Sequence, residues 1–475
     1  MSFTIQGDRK VSFWYDGHMS KITSINPSTY QVIGSVDSST DQEVQAAVEK
    51  ARQAQPAWEN AGLEERSKAI QSFMKISQER AEDIAEIMSQ EMGKPILSSR
   101  GQVKETVEYW HAYLDMAKEA LAPEIIFETD EERHTQYREP LGVLAAISPW
   151  NFPFLALAWQ MGQALIAGNT IVYKPSEETV LFAKLVAELV AASDLPEGVL
   201  NILIGNGQVG EQLVSQTIDG ILFTGSTATG QRITELVAKS SVRVFTEMGG
   251  SAPGIVFEDA DVPTIIDTIY DMRFENTGQY CDGLKRLLVH ESKLDEVLAA
   301  LAEANLKRVV GNASDEDTDI GPLVAERQLK LLEGQVADAL DKGAKVQFGG
   351  KQPDGLEGAY YLPTVLTEVS YDMRVWHEEV FGPVLAVVTF TSEDEAVKLA
   401  NDTPYGLGAF VFTNSKERYQ RIAKQLKVGN VAHNNTLYYR PQIPFGGYKQ
   451  SGNSRTNGVE GFAEITQIKV VSEEK

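Results

Sequence analysis

Apolar residues recur at three- and four-residue spacings from about Asp41 to Leu121. Val44, Ala47, Val48 and Ala51 come first, then Ile70, Phe73, Met74 and Ile76. That period predicts helices with one buried face. From Gly142 the pattern changes to short apolar runs alternating with longer amphipathic stretches. VLAAIS precedes a helical stretch near Leu155 to Ala167, TIVYK precedes another near Val180 to Ala192, and NILI, GILF and RVFTE continue the series. Runs this short and continuous suit strands buried on both faces, and their alternation with helices predicts a parallel, doubly wound sheet. After about Ser251 a second alternation begins. Its strands are LLVH, PTVLT, VLAVVTF and AFVFT, with helices such as Leu294 to Leu306 and Ala325 to Lys342 between them. The expected fold class is α/β, with two doubly wound domains. Between the helical and the first α/β part, Glu124 to Glu139 carries the alternating stretches I-I-F-E-T and H-T-Q-Y-R, which fit a projecting β-hairpin.

Composition narrows the functional classes. A chain of 475 residues is long enough for two or three domains with sizeable cores. With 43% hydrophobic and 23% charged residues, the disordered and fibrous classes do not fit. A net charge of −24 repels phosphate backbones and anionic lipid, which argues against nucleic-acid and membrane-surface partners. The single cysteine cannot form an intramolecular disulfide, no apolar run approaches a membrane span, and no signal-peptide order opens the chain. A soluble, cytoplasmic protein is expected. The histidines (His18, His111, His134, His290, His377, His433) show no H-E-x-x-H spacing and no cysteine company, so no metal site is expected.

A doubly wound sheet binds ligands at the carboxyl ends of its strands. That rule selects Pro149, Trp150, Asn151, Lys174, Glu177, Thr224, Gly225, Ser226, Glu247 and Gly249. The stretch G-N-G-Q-V-G at Gly205 to Gly210 matches the dinucleotide fingerprint, but Phe223 to Ser226 stand where its acidic ribose partner belongs; a glycine-rich turn is expected there. F-T-G-S-T-A-T-G at Phe223 to Gly230 is the better phosphate candidate, because a strand ends in Gly225-Ser226 and a helix follows. Its plainer reading is an ordinary N-cap. In K-P-S-E, Glu177 suits ribose hydroxyls and repels a 2′-phosphate, favouring NAD over NADP. Cys281 lies among small and polar neighbours in F-E-N-T-G-Q-Y-C-D-G, unlike most packing cysteines; from composition alone, nucleophile and packing residue stay equally open.

Seven stretches in order give a more specific picture: P-W-N-F-P at Pro149, K-P-S-E at Lys174, F-T-G-S-T-A-T-G at Phe223, E-M-G-G at Glu247, N-T-G-Q-Y-C at Asn276, E-E-V-F-G-P-V at Glu378 and P-F-G-G-Y-K-Q-S-G at Pro444. Over essentially the whole chain they resemble the NAD(P)-dependent aldehyde dehydrogenase superfamily, of the hydrolytic, non-acylating type. The resemblance implies an NAD-binding domain over 1–120 and 140–249 and a catalytic domain over 250–445. It also implies an oligomerisation hairpin and tail over 121–139 and 464–475, in a homodimer or homotetramer. Cys281 is implied to attack an aldehyde and pass through a thiohemiacetal to a thioester. Asn151 and the Cys281 N–H would stabilise the oxyanion, and Glu247 would be the general base. Glu379 would hold the nicotinamide ribose, with Phe381 against the cofactor. Lys174 and Glu177 would hold the adenosine ribose, with Trp150, Gly225 and Ser226 around the pyrophosphate.

Departures from the family pattern bear on the substrate. Semialdehyde members usually carry an arginine where Trp159 stands, and a tryptophan there resembles members that take acetaldehyde and other apolar or aromatic aldehydes. Arg440 in L-Y-Y-R-P is a second candidate carboxylate anchor, so semialdehydes are the runner-up; a non-catalytic NAD-binding protein on the same fold is a minor alternative. Tyr280 and Asp282 flank the nucleophile, and Asp282 is expected to point away, because a carboxylate facing the thiol raises its pKa. Thr456 stands where many relatives have a glutamate, so deacylation is expected to lean on Glu247.

Overall fold

The structure, a computed structural model, describes residues 21–436 and 438–475. The first twenty residues of the expected cofactor domain, His18 among them, lie outside the described residues.

The predicted helical segment is four helices, Asp41–Asn60, Gly62–Glu79, Ala81–Met92 and Ile96–Ala120. The first starts at a capping box: Glu43 N–H donates to Thr40 Oγ1 at 3.3 Å, and Thr40 N–H donates to Glu43 Oε2 at 2.7 Å. Their apolar stripes pack Trp58, Phe73 and Trp110 into one core with residues of a five-stranded sheet. That sheet is parallel throughout, in the spatial order Leu200–Ile202, Thr170–Lys174, Val143–Ile147, Gly220–Thr224, Arg243–Glu247. Every residue of Thr170–Lys174 is buried, which is why this strand reads as an unbroken run.

The second alternation folds into a seven-stranded sheet. Its order is Lys345–Phe348, Thr364–Thr367, Val384–Phe390, Leu284–His290, Ala252–Val256, Gly408–Phe412, Asn430–His433, parallel except at the Lys345–Phe348 edge. The expected hairpin is Glu124–Glu128 with Glu132–Pro140, and the tail strand Thr466–Glu474 adds to it antiparallel. Ile125, Phe127, Ile468 and Val470 stay exposed on this three-stranded sheet.

Several elements escape the hydrophobic pattern. A hairpin of Lys21–Ile25 and Val32–Asp37 precedes the first helix, and Ala252–Val256 is a strand although Pro253 and Gly254 read as breakers. The helix near Leu155 to Ala167 is interrupted by a π-helical turn at Leu157–Gly162, which carries Trp159. The G-N-G-Q-V-G stretch, expected as a turn, is a helix start: Asn206 Oδ1 accepts from the Gln208 N–H at 2.9 Å and caps Gly207–Val214. Among the described residues, no helix is long and apolar enough to cross a membrane.

Glu91 shows how the packing is tied. Buried at the end of its helix, it accepts from the Leu181 and Phe182 N–H groups, each at 2.8 Å, and from Ser24 Oγ at 2.7 Å. One carboxylate therefore joins the N-terminal hairpin to the start of the helix Val180–Ala192. Burial pushes its carboxyl up from the ordinary 4.5 to about 7, with the three donors pulling the other way. A folded-state pKa above the unfolded one contributes stability that is present below the unfolded value and lost as pH rises through the folded one. The stability advantage of the wild type over Glu91→Gln should therefore fall by up to about 3 kcal/mol as pH rises from the unfolded to the folded value. Thermal unfolding of both proteins across that range checks it, and a pH-independent difference would refute the assignment.

Candidate active site

The loop that delivers Cys281 is strained and held from several sides. Asn276 and Thr277 adopt left-handed backbone (φ 49° and 56°), which costs a β-branched residue such as threonine most. Both are buried, and hydrogen bonds fix them. Asn276 Nδ2 donates to Asn151 O at 3.1 Å, and Thr277 Oγ1 donates to Gly321 O at 2.9 Å. Asn151 Nδ2 donates in turn to Gln279 O at 2.9 Å, so the expected oxyanion amide is seated on the nucleophile loop.

Beyond the loop stands Lys285, almost fully buried. Its ammonium donates to Gly250 O at 2.7 Å, to Cys281 O at 2.9 Å and to Glu379 Oε1 at 2.6 Å. The same Glu379 oxygen accepts from the Gly250 N–H at 3.0 Å. Glu379, expected to hold a ribose, is thus an ion-pair partner here. Phe381, two residues on, meets Trp150 edge to face at 5.5 Å and lies 5.3 Å from the Lys285 ammonium.

Cys281 is partly buried against the core that contains Leu407, Tyr438 and Phe445. Burial, and then the Asp282 carboxylate, push its thiol up to about 12, while the Lys285 ammonium pulls it down. A thiol so protonated needs a base. Glu247 closes the strand Arg243–Glu247; its Oε1 accepts from Ser454 Oγ at 3.3 Å, and its buried Oε2 has no partner among the described residues. Burial holds this carboxyl well above the usual range, against the Arg455 cation and the Ser454 hydroxyl. Asp282 turns into a tyrosine pair, accepting from Tyr438 OH at 2.5 Å and Tyr439 OH at 3.0 Å. Its other oxygen abuts Gly408, where a Cβ would approach to 2.1 Å. Burial pushes Asp282 up to about 6 despite both donors. One oxygen of the carboxylate is held by the tyrosines, and its charge reaches the thiol.

Aromatic rings surround this centre. Tyr280 packs on Phe152 at 4.8 Å, and Trp159 lies between Tyr109 at 5.7 Å and Phe445 at 5.0 Å. Arg440 is exposed, and its charge is felt by Glu105 and Tyr109.

At the ends of the five-stranded sheet, Lys174 is buried, 3.7 Å from half-exposed Glu177, and donates to Pro175 O at 2.9 Å. Burial lowers its ammonium pKa. Ser226 caps the helix Thr227–Val237, accepting from the Thr229 N–H at 3.3 Å, and Gly225 lies so close to the Phe223 ring that a Cβ would sit 2.7 Å from it. A partly exposed helix start beside a glycine that admits close approach fits a pyrophosphate, and Lys174 with Glu177 fits a ribose.

Sequence reasoning missed Lys285, Ser454, Tyr438 and Tyr439. Lys285 did leave a signal: L-K-R-L-L-V-H places two cations inside a strand buried up to its last residue, and buried charge needs a reason.

Residues 14–471 match the model of the Aldehyde dehydrogenase family. Betaine aldehyde dehydrogenase of Bacillus subtilis is 35% identical over 96% of this chain and 95% of its own. An NADP-dependent enzyme of E. coli superposes with a TM-score of 0.93 at 33% identity, covering 96% of this chain and 95% of the other. PnpE from Pseudomonas sp. WBC-3, in complex with nicotinamide adenine dinucleotide, does so with a TM-score of 0.92 at 34% identity, over 96% and 94%. The chain belongs to the aldehyde dehydrogenase family, and it is an oxidoreductase acting on aldehydes.

Above about pH 6 the Asp282 anion opposes ionisation of the neighbouring thiol. Asp282→Asn should therefore lower the thiol pKa and speed iodoacetamide alkylation of Cys281 near neutral pH, in proportion to the thiolate gained: about tenfold if the pKa falls by about one. Lys285→Met should slow it. Alkylation rates that rank the other way would refute this reading of the site's electrostatics.

Proposed function

We propose that this enzyme oxidises an apolar or aromatic aldehyde to the carboxylic acid with NAD. The observation that carries the reading is a partly buried thiol, Cys281, within the electrostatic reach of a buried carboxylate, Glu247, that has one oxygen unpartnered among the described residues. Glu247 takes the Cys281 proton, the sulfur attacks the carbonyl carbon, and a thiohemiacetal forms. Asn151 exchanges its bond to Gln279 O for one to the new oxyanion, joined by the Cys281 N–H. NAD, held by Lys174, Glu177, Gly225, Ser226, Trp150 and Phe381, with Glu379 toward the nicotinamide ribose, supplies the hydride acceptor when bound. The thioester left on Cys281 is then cleaved by a water whose proton Glu247 accepts, releasing the acid and the thiol.

The aromatic pairs Phe152–Tyr280 and Tyr109–Trp159 favour apolar or aromatic aldehydes. Arg440 supports the second reading, a semialdehyde whose carboxylate pairs with this exposed cation. The exposed apolar side chains of the three-stranded sheet fit pairing with a second copy of the chain in a dimer or tetramer, and the setting proposed is the cytoplasm.

NADH formation with acetaldehyde, hexanal, benzaldehyde and succinic semialdehyde tests the proposal. Cys281→Ala should abolish turnover and keep NAD binding, and Glu247→Gln should cut kcat by about 100-fold. Benzaldehyde or hexanal should rank above succinic semialdehyde, and NAD above NADP in kcat/KM. Turnover by Cys281→Ala would overturn the mechanism, and the reverse substrate ranking would move the assignment to the Arg440 reading.

A further inference from the structure

Glu247 faces more than the nucleophile. A small cavity of about 30 Å³ adjoins it, walled also by Trp159, Gln160, Thr456, Ser454 and Glu464. Cys281 is not among its walls. Two of these side chains each carry a buried polar atom without a partner among the described residues, Glu247 Oε2 and Gln160 Oε1, whereas the Trp159 indole N–H is directed to Tyr109. Buried polar groups in native proteins are satisfied by protein or by ordered water. A cavity of this size accommodates a water or two, and a water needs two to four polar partners, which these walls provide.

Glu464 closes the short helix Gly458–Glu464 and is only partly buried, whereas Glu247 is almost fully so. The cavity therefore runs from a sealed carboxyl to one that reaches solvent. The groups that face this pair are Arg455, Arg243 and Asp282. Burial raises the Glu464 carboxyl, while the Arg455 backbone N–H, its guanidinium and the Arg243 cation pull it down; the charge of Glu464 in turn raises Glu247. Asp282 raises Glu247 from the other side.

We propose that Glu464 is the outlet for the protons that Glu247 collects, receiving them through water in this cavity and passing them to solvent. The inference rests on the assignment of Glu247 as the base. Each transfer breaks an O–H bond on the Glu247 carboxyl and forms one on a cavity water, which gives up another proton to the Glu464 carboxylate; bulk water then takes it, and no electrons move. Glu464 touches neither substrate nor thiol and acts through Glu247. Losing it should therefore slow regeneration of the base and leave aldehyde and NAD binding intact.

Hydrolysis of p-nitrophenyl acetate is the test, because the ester acylates a cysteine without cofactor and the deacylation that follows requires the base to discharge its proton. The nitrophenol burst reports acylation of Cys281, and the steady phase reports deacylation. Glu464→Gln should keep the burst amplitude and lower the steady rate by about tenfold, with KM unchanged. Glu464→Asp should restore most of that rate, which a merely structural role would not require. A steady rate of Glu464→Gln within about twofold of wild type would overturn the relay. Should Glu464→Gln not fold, the wild-type steady rate in mixtures of H2O and D2O decides: a bowed dependence supports several protons in transit, and a linear one overturns the proposal. Cys281→Ala separates the two claims. A burst that persists without the thiol sinks the Cys281 reading, whereas a burst lost there with an unimpaired Glu464→Gln sinks the relay alone.

Discussion

The close approach of backbone at Met248–Ser251 is the constraint on which the site depends. Glu247 ends a strand of one sheet and Ala252 begins a strand of the other, so four residues span the junction. Side chains are crowded out of the middle of that span: a Cβ on Gly250 would lie 2.4 Å from the backbone Cys281 O, and one on Gly249 would lie 2.3 Å from Glu379 Oε2 and displace that carboxylate. The two glycines therefore let the Glu247 strand end, the Cys281 loop and the Glu379 carboxylate approach one another. The segment P-F-G-G-Y-K-Q-S-G clamps the same junction from outside. Met248 N–H donates to Ser451 O at 2.9 Å, Ser451 Oγ donates to Gly249 O at 2.7 Å, and Ser454 reaches Glu247. Three stretches far apart in sequence are thus one object in space.

Charge burial sets the chemistry of that object. Lys285 has exchanged water for two carbonyls and one carboxylate, and a buried ammonium stays charged only with such partners. It ties the Cys281 peptide to Glu379 and is a positive charge that favours the thiolate. Asp282 and Glu247 work against it. Burial first, and then the Asp282 charge, keep the resting thiol protonated, so the proposed mechanism leaves its activation to Glu247, a carboxyl that burial has itself raised.

The fold was legible in the chain to the extent that burial leaves a period. The four N-terminal helices and the strands Thr170–Lys174 and Val384–Phe390 stand out because each buries a continuous face or run. Ala252–Val256 does not, since its Pro253 and Gly254 look like breakers and only the parallel neighbours Leu284–His290 and Gly408–Phe412 make it a strand. The site followed the same division. Cys281 and Asn151 sit in turns, and Glu247 at a strand end before Met248-Gly249-Gly250, whose composition is distinctive locally. Lys285, Tyr438 and Tyr439 owe their place to contacts across more than a hundred residues of sequence in two cases and to a buried strand in the third, which no local pattern records.

Trp159 and Thr456, two departures in sequence, border one space beside Glu247. Trp159 lies in a π-helical turn, where the extra residue rotates the side chains that follow it relative to an α-helix. Its ring contacts Tyr109 and Phe445 on the aromatic side, while Trp159 and its neighbour Gln160 also line the cavity next to Glu247. Thr456, short and hydrogen-bonded through its backbone to Phe445 at 2.8 Å in both directions, lines that cavity as well. The aromatic contacts and the cavity beside Glu247 therefore share Trp159. A change that reshapes the aromatic contacts at Trp159 also moves a wall of that water-sized space, so under the proposed roles aldehyde selection and the rate of thioester hydrolysis would be physically coupled.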